Sequence, residues 1–520
     1  MFPDRSMPCV DLTSHPDGQG SILRISEVNS LRGTIFNLLN TMIGGGVLGL
    51  PFAVQQTGIA AGGLLLLLIA GITDISAWML LVSVDATREL SFAMVAEKLY
   101  GRWLGVCVDC AVLFNNFGTL VSYVVILGDL IPPFMTYLDA PATLQDHRIV
   151  LSAIALCALL PLSLLRSMGA LRHVSLLCLL MILMFSLILI AMGTGCIALP
   201  QPTDARLEYI PSSRQAFFSQ MSVMVFAYNC LMNVPVLYGE LRRKSRDTVD
   251  STFATKRSKM MTAMHFSLTT CAVTYVGVGV FGYVAFRSGT QHDILTNLDY
   301  HIFSPAPYVK VSYSLVIICS YPVMCFSCVA SLHRLLLHLR EAAGRGKYNY
   351  QPFQAFSPSS SPAFRSPGWS KTAIWSPPPE EAEVTMTEED VTTPEDKEGL
   401  HALLLPPHPP QKPDFSAPGP SLALPSAPPS ETGRIVEATG IVISTLLIGL
   451  AVPDLSVVFA LTGGICGGSI TFIFPGLFFL RVPSATSKSC RLCLGYGVLW
   501  IGILVSIATT AISFEDLFAG

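Results

Sequence analysis

The chain has 520 residues, of which 51% are hydrophobic and only 13% are charged, and its formal net charge is −3. Soluble domains carry about 25% charged residues, so this composition indicates a polytopic membrane protein, and the small net charge gives no sign of a nucleic-acid partner. No nucleophile–base pair, zinc spacing or phosphate-binding loop stands out, which argues against an enzyme and against a bound cofactor.

Eleven apolar segments are long enough to cross a bilayer, at about 20 residues per helix. Residues 1–33 precede them as a polar tail without the hydrophobic core of a signal peptide, so we expect the first helix to insert the chain. The predicted helices lie near 34–56, 61–84, 104–131, 149–166, 174–196, 216–238, 262–286, 310–334, 435–451, 455–480 and 494–514.

The basic residues predict the orientation of these helices. A cytoplasmic N-terminus places most of the 32 Lys and Arg residues on the cytoplasmic side, including the run in 239–261, in agreement with the positive-inside rule. The segment 340–433 is rich in Pro and Ser and has no apolar periodicity, which predicts a disordered cytoplasmic insert. The insert either receives cytoplasmic regulators or is a linker without a specific role. The predicted organisation is thus a tail (1–33), helices 1–8 (34–339), the insert (340–433) and helices 9–11 (434–520).

The first helix contains three consecutive glycines, Gly44, Gly45 and Gly46, followed by Gly49 and Pro51. Glycine costs a helix interior about 1 kcal/mol relative to alanine, so this run predicts a break. In a bilayer, freed backbone groups are tolerated only where protein or a water-filled cavity satisfies them, and many secondary transporters hold a substrate carboxylate and a cation at such a break. The alternative is close packing of helices through small residues.

The sixth helix is interrupted in a similar way. Tyr228, Asn229 and Asn233 precede Pro235, which lacks an N–H donor and clashes with the preceding turn. Breaks at corresponding positions of helices 1–5 and 6–10 predict a five-plus-five inverted repeat with the site between its halves. The predicted fold is therefore all-α and polytopic, with broken helices 1 and 6 and one extra helix, the eleventh.

Other polar groups lie within the predicted spans. We expect Asn115, on the third helix, to line the cavity. Ser320 precedes Tyr321-Pro322 on the eighth helix, where its hydroxyl would suit Na⁺; the alternative is a hydrogen bond to its own helix. The intramembrane or near-interface acids Asp74, Asp109 and Asp129 are further functional candidates; the alternative for Asp129, which adjoins the far interface, is a solvated carboxylate.

Four sequence motifs together resemble one family. The first-helix run NTMIGGGVLGLPFA (40–53), ending in Thr57-Gly58, is similar to the first-helix signature of the amino acid/auxin permease superfamily. The segments FNNFG (114–118), VPDLSVVF (452–459) and FPGLFF (474–479) agree with it. Within this superfamily the chain resembles the sodium-coupled neutral amino acid transporters and the plant and protist vacuolar amino acid transporters.

The resemblance implies an amino-acid symporter or exporter that works by alternating access. The backbone amides at the first break would bind the substrate carboxylate, and groups on the sixth helix would hold its amino end. The substrate site would comprise Thr41, Gly44, Gly45, Gly46, Val47, Asn115, Tyr228, Asn229 and Asn233. A Na⁺ site would comprise Asn40, Ile43 and Ser320.

The chain also departs from the animal sodium-coupled pattern. Where those proteins carry His-Pro-Glu, the sixth helix reads Leu231-Met232-Asn233, loop 287–309 has no cysteine, and the chain has no Asn-X-Ser/Thr sequon. The sequence is therefore compatible with Na⁺ or H⁺ as the coupling ion. It is likewise compatible with the plasma membrane or with a vacuolar or lysosomal membrane as the location. The uncharged cavity favours small neutral L-amino acids. The alternative function is an amino-acid sensor of transporter fold that signals through the insert with little flux.

Overall fold

A computed structural model describes residues 30–164, 172–197, 206–211, 213–241, 249–300, 303, 305–344, 431–452, 458–459, 462–482 and 488–519. The predicted tail (1–33) and insert (340–433) lie outside these residues except at their ends. The regular elements of the described part are all helical. They are α1 (Leu31–Met42), α2 (Leu50–Thr57), α3 (Ile59–Thr87), α4 (Phe92–Tyr100), α5 (Arg102–Tyr137), α6 (His147–Ile154), α7 (Leu160–Ser163), α8 (Arg172–Gly193), α9 (Arg214–Ala227), α10 (Val234–Glu240), α11 (Val249–Phe286), α12 (Ala306–Ala342), α13 (Glu431–Ala451), α14 (Phe474–Arg481) and α15 (Lys488–Ala519).

Short 3₁₀-helical and π-helical stretches lie between some of these α-helices. Two 3₁₀ turns, Gly45–Gly49 and Leu231–Asn233, separate α1 from α2 and α9 from α10. A π-helical stretch, Ala155–Leu159, joins α6 to α7, and two more, Thr462–Gly467 and Ser469–Ile473, precede α14. Each of the eleven predicted segments overlaps a described helix.

The chain is a polytopic helical membrane protein. Within the described residues, eight helices are long and apolar enough to cross a membrane, or nine when α1 and the helical residues from Gly45 to Thr57 count as one bent span. Two further predicted spans coincide with shorter apolar helices, His147–Ser163 and Leu179–Gly193.

Helix α4 was not predicted from the sequence. It is a nine-residue helix between α3 and α5 that buries its first five residues, Phe92 to Ala96. It ends at Gly101, whose φ of +90° is a conformation that glycine adopts without steric cost. A helix of this length is too short to span a bilayer, so the length of apolar segments does not predict it.

The two prolines that predicted helix breaks lie at the starts of new helices. Pro51 lies in the first turn of α2, and Pro235 lies in the first turn of α10. An N–H at that position has no acceptor within its own helix, so proline loses nothing there. Each break is therefore a stop followed by the start of a new helix, and the first two residues of each new helix are buried.

Long helices pack around these two breaks. α5 packs along α12, while α11 contacts α1, α2, α3 and α8. At the junction of α2 and α3, Gly58 has a φ of +80°, and a Cβ there would lie 2.6 Å from the backbone N of Ile210. The segment 206–211 approaches this closely because the carbonyl groups of Glu208 and Tyr209 accept hydrogen bonds from the first two N–H groups of α3.

Candidate functional site

The first break is confirmed at the glycine run. The last α-helical bond of α1 runs from the Ile43 N–H to the Leu39 carbonyl oxygen at 2.8 Å. Gly44 is then extended, with φ of −128° and ψ of −143°, and the chain resumes in the 3₁₀ turn Gly45–Gly49. The two halves of the span are bent by 48°. As the first two residues of the 3₁₀ turn, Gly45 and Gly46 have N–H groups with no acceptor inside that turn.

The second interruption, at the end of α9, is also present. Here the N–H groups of Tyr228 and Asn229 bond to the carbonyl oxygens of Val225 and Phe226 at 3.2 and 3.1 Å. A 3₁₀ turn (Leu231–Asn233) follows before α10 begins. Tyr228 and Asn229 therefore lie where the α-helical hydrogen bonding is interrupted, although Arg214–Glu240 as a whole is a single membrane span.

The two interruptions are in direct contact. A Cβ at Gly46 would lie 3.2 Å from the Cα atom of Ala227, so a side chain there would separate the two chains. The Tyr275 hydroxyl from α11 lies 2.7 Å from the Met42 carbonyl oxygen and 3.0 Å from the Ala227 carbonyl oxygen. One phenolic proton is thus shared between the last carbonyl groups of α1 and α9.

Two further tyrosines line the first break. The Tyr313 hydroxyl from α12 donates to the Gly44 carbonyl oxygen at 3.0 Å. Tyr123 from α5 lies on the other side, since a Cβ at Gly45 would be 3.2 Å from Tyr123 Cε1. Neither Tyr275 nor Tyr313 is among the site residues predicted from the sequence. An intramembrane tyrosine is a weak signal, because only the tertiary structure shows which backbone group its hydroxyl meets.

A buried amide cluster lies beside the second interruption. Asn229 Nδ2 donates to Asn115 Oδ1 at 2.6 Å, and Asn115 Nδ2 lies 3.8 Å from Met232 Sδ. Within the described part of the chain, the Tyr228 hydroxyl, Asn229 Oδ1 and both amide atoms of Asn116 are buried without a hydrogen-bond partner. Leaving a buried polar group without a partner costs about 1–3 kcal/mol. Tyr228 and Asn229, which adjoin in the chain and are both in this condition, indicate a place where a polar ligand or water binds.

The predicted substrate residues occupy different environments. Gly44, Gly45, Gly46 and Val47 form the first break, and Asn115 joins Asn229 at the second. The Thr41 hydroxyl instead donates to the Asn37 carbonyl oxygen of its own helix at 2.8 Å. Asn233 is half-buried at the end of the 3₁₀ turn, and its N–H bonds to the Cys230 carbonyl oxygen at 3.1 Å.

The residues predicted to bind Na⁺ are not joined by hydrogen bonds in the structure. Asn40 is half-buried on α1, three positions before the fully buried Ile43. Ser320 is half-buried on α12, two turns of helix beyond Tyr313. Its hydroxyl makes no hydrogen bond to its own helix in the described residues, whereas the Ser314 hydroxyl donates to the Lys310 carbonyl oxygen at 2.9 Å.

Two of the three acids selected from the sequence, Asp74 and Asp109, pair with basic side chains of other helices. Asp109 pairs with Arg334 of α12. Asp74 Oδ1 lies 2.8 Å from His265 Nδ1 on α11, at a partly exposed face of the bundle. These two carboxylates therefore connect helices and do not belong to the group of polar atoms at the interruptions.

Comparison with known proteins adds to this geometry. The model of one protein family, described as "Transmembrane amino acid transporter protein", matches residues 27–515. Amino acid transporter AVT6E of Arabidopsis thaliana is 27% identical over 60% of this chain and 64% of its own length. Solute carrier family 38 member 10 of Homo sapiens is 23% identical over 93% of this chain and 35% of its own length. Vacuolar amino acid transporter 6 of Saccharomyces cerevisiae is 22% identical over 89% of this chain and 92% of its own length.

The first two matches span less than two thirds of the relatives' own length, whereas the family model extends over nearly the whole chain. The family and these relatives are transporters and not enzymes, in agreement with the expectation from the sequence. The chain belongs to the transmembrane amino acid transporter protein family, the amino acid/auxin permease superfamily that its first-helix glycine run resembles.

Proposed function

We propose that the chain is a secondary active transporter of small neutral L-amino acids that works by alternating access. The proposal rests on one observation. Two interrupted helices meet around Tyr275, and the Tyr228 hydroxyl and Asn229 Oδ1 are buried without a hydrogen-bond partner among the described residues. Interrupted helices supply backbone groups to a substrate at membrane depth, where no water is otherwise present to hydrogen-bond them.

Each part of an amino acid has a complementary group at this site. The substrate carboxylate accepts hydrogen bonds from the N–H groups of Gly45 and Gly46, at the positive end of the restarted helix. The Val47 N–H donates to the Gly44 carbonyl oxygen at 3.4 Å and would have to exchange this long bond for one to the substrate. The substrate ammonium donates to Asn229 Oδ1 and to the Tyr228 hydroxyl oxygen. Asn115 holds the Asn229 amide in place. Because Asn115, Tyr228, Asn229 and Asn233 are all uncharged, the site favours a neutral side chain.

The proposed coupling ion is Na⁺, with H⁺ as the alternative. Na⁺ binds oxygen ligands, and the proposed set is the Asn40 side chain, the Ile43 carbonyl oxygen and the Ser320 hydroxyl. The Ser320 hydroxyl is available for this role because it makes no hydrogen bond to its own helix among the described residues. Relatives of both kinds match the chain, some named sodium-coupled and others named vacuolar.

The proposed architecture has eleven spans, in which helices 1–5 and 6–10 form an inverted repeat and the eleventh lies outside it. In this numbering α1 and α2 form the first span, and α9 and α10 form the sixth. The basic residues of 239–261 support a cytoplasmic N-terminus. The plasma membrane and a vacuolar or lysosomal membrane are both compatible with this orientation.

The test is amino-acid uptake into proteoliposomes, with Na⁺ and H⁺ gradients imposed separately against a panel of neutral amino acids. Uptake driven by Na⁺, lost in Asn40→Ala and Ser320→Ala and kept in Ser314→Ala, supports the proposal with its cation site. Ser314→Ala is a matched control because that hydroxyl is already bonded to its own helix. Uptake driven only by H⁺ would remove the Na⁺ assignment and leave transport intact.

A second candidate function is an amino-acid sensor of transporter fold that signals through the 340–433 insert. The long insert between α12 and α13 is the feature that favours it. A sensor binds amino acid with negligible turnover, so binding to the purified protein without flux under either gradient would replace transport by sensing.

A further inference from the structure

The loop between α11 and α12 covers the first break from one end of the bundle. The Ile294 N–H donates to the Leu48 carbonyl oxygen of the 3₁₀ turn at 3.3 Å. The His292 ring lies on the Phe52 ring of α2 with the centroids 3.8 Å apart. The loop's own residues Ile294, Leu295 and Leu298 are fully buried. Residues 290–300, called the covering loop below, therefore close this end of the site.

A carboxyl group is buried inside the covering loop. Asp293 is 3% exposed, and its Oδ1 atom accepts the Leu295 N–H at 2.9 Å. Its Oδ2 atom is buried and has no hydrogen-bond partner among the described residues. A buried charge without a partner is costly, and a carboxyl group avoids this cost by holding a proton.

The charged and titratable groups that face Asp293 come from three elements. Asp293 interacts electrostatically with Lys310 and Tyr313 of α12 and with Asp129 of α5. On the loop itself His292 adjoins Asp293 in the chain, whereas Asp299 is exposed to solvent, and α2 carries no charged residue. Lys310 is itself buried, and its ammonium lies 4.1 Å from the centroid of the Tyr300 ring. Within the described residues, Asp293 makes no ion pair with any of these groups.

We propose that Asp293 is a proton-binding group that links closure of the covering loop over the first break to uptake of one proton from solvent. When the loop lifts, the carboxyl group is hydrated and releases the proton to water; when the loop closes, the carboxyl oxygen takes one back. This inference rests on the proposed function, because it assigns closure of one end of the substrate site to the loop.

The direction of the pH effect follows from burial. Burial raises the pKa of Asp293 from 3.8 to about 7; the Leu295 N–H opposes this rise, the Asp129 carboxylate adds to it, and Lys310 opposes it. In the open loop the pKa returns towards its ordinary value. Closure of the loop is therefore most favourable below about pH 4, becomes less favourable as the pH rises, and is least favourable above about pH 7. Acidic solution on the loop side favours closure.

The test is hydrogen exchange at the covering loop of the full chain in lipid nanodiscs, read at the Ile294 and Leu295 amides between pH 5 and pH 8. After correction for the intrinsic exchange rate, we expect the exchange rate of the wild-type protein to rise roughly tenfold per pH unit up to about pH 7 and then to level off. Asp293→Asn keeps the shape of the side chain but does not titrate, so its corrected rate is expected to be independent of pH. Asp299→Asn, an exposed acid on the same loop, is the matched control and is expected to behave like wild type.

A second variant tests the same proposal if Asp293→Asn does not fold. Lys310→Met removes a positive charge that lowers the pKa of Asp293, so the pH at which exchange levels off is expected to move upwards. A corrected wild-type exchange rate that does not change with pH overturns the proposal, even where the protein transports amino acids. Conversely, pH-dependent exchange in a protein without amino-acid flux supports the proton-linked closure and overturns the proposed transport.

Discussion

Tyr228 and Tyr275 meet edge to face at the centre of the bundle, with ring centroids 5.0 Å apart and an interplanar angle of 65°. Both side chains are fully buried, yet their hydroxyl groups differ. The Tyr275 hydroxyl bonds to two backbone carbonyl oxygens, one from each interrupted helix. The Tyr228 hydroxyl has no partner among the described residues. Replacing each tyrosine by phenylalanine removes only the hydroxyl group, and we expect the two replacements to affect stability differently.

Tyr275→Phe is expected to destabilise the protein. It keeps the packing of the ring but removes the hydroxyl donor from both carbonyl oxygens. The Met42 oxygen keeps the Gly44 N–H at 3.0 Å, whereas the Ala227 oxygen loses the donor it has among the described residues, at a cost of about 1–3 kcal/mol. The measurement is thermal unfolding of the detergent-purified protein. Tyr283→Phe is the matched control on the same helix, because that hydroxyl only accepts one bond, from the Glu208 N–H at 3.1 Å. An equal loss in both variants would contradict a special role for Tyr275.

Tyr228→Phe is expected to leave stability without amino acid unchanged or slightly higher, since no hydrogen bond is lost. If the hydroxyl holds the substrate ammonium, the KM for amino acid rises about tenfold, which corresponds to about 1.4 kcal/mol. The two measurements are thermal unfolding without amino acid and initial uptake rates across substrate concentrations. An unchanged KM would remove Tyr228 from the substrate site.

Gly46→Ala is expected to abolish most transport. Its Cβ would lie 3.2 Å from the Ala227 Cα atom, so the two interrupted segments must separate, and overpacking of this kind costs about 1–3 kcal/mol. Gly63→Ala is the control, because a Cβ there has no atom within 4 Å and alanine favours the helix. Uptake per molecule of membrane-inserted protein compares them. Full activity of Gly46→Ala would argue against close contact of the breaks during transport.

Asp109→Asn is expected to cost about 3–5 kcal/mol, because it leaves the Arg334 charge buried without its partner. The side chains of Arg334 and Asp109 are 18% and 3% exposed. Replacing both residues by Leu and Met is expected to recover a large share of this loss. The exposed pair Arg102–Glu341, at 42% and 26%, is the control, and Glu341→Gln is expected to cost about 0–1 kcal/mol. Apparent Tm values of these three variants and of the wild-type protein test this; similar losses for Asp109→Asn and Glu341→Gln would contradict it.

Both helix breaks could be predicted from the sequence because their causes are local. Three glycines in succession weaken a helix wherever they stand, and proline removes an N–H and clashes with the preceding turn in any context. For the same reason the long apolar helices could be predicted, since each needs about 20 apolar residues in a row. Helix α4 was missed because its five buried residues face the protein and its length is that of an ordinary connecting helix.

The partners of the site residues could not be predicted in this way. Thr41 and Ser320 are both half-buried hydroxyl residues on helices, but Thr41 bonds to its own helix and Ser320 does not among the described residues. Tyr275 lies 48 positions from Ala227 and 233 positions from Met42 along the chain, and no local pattern relates residues at such separations. Asp293 reads in the sequence as an ordinary loop acid, and only the packed loop shows that it is buried.

The amino-acid sequence by itself determined the membrane class of this protein, the positions of its apolar helices and the two places where those helices stop and restart. These follow from hydropathy and from backbone chemistry, which act over a few neighbouring residues. The tertiary structure alone decided that the two interruptions touch, that one tyrosine hydroxyl joins them and that the covering loop buries Asp293. Those relationships arise from packing between distant segments, where burial removes water and leaves each polar atom dependent on whichever side chain the fold brings within reach.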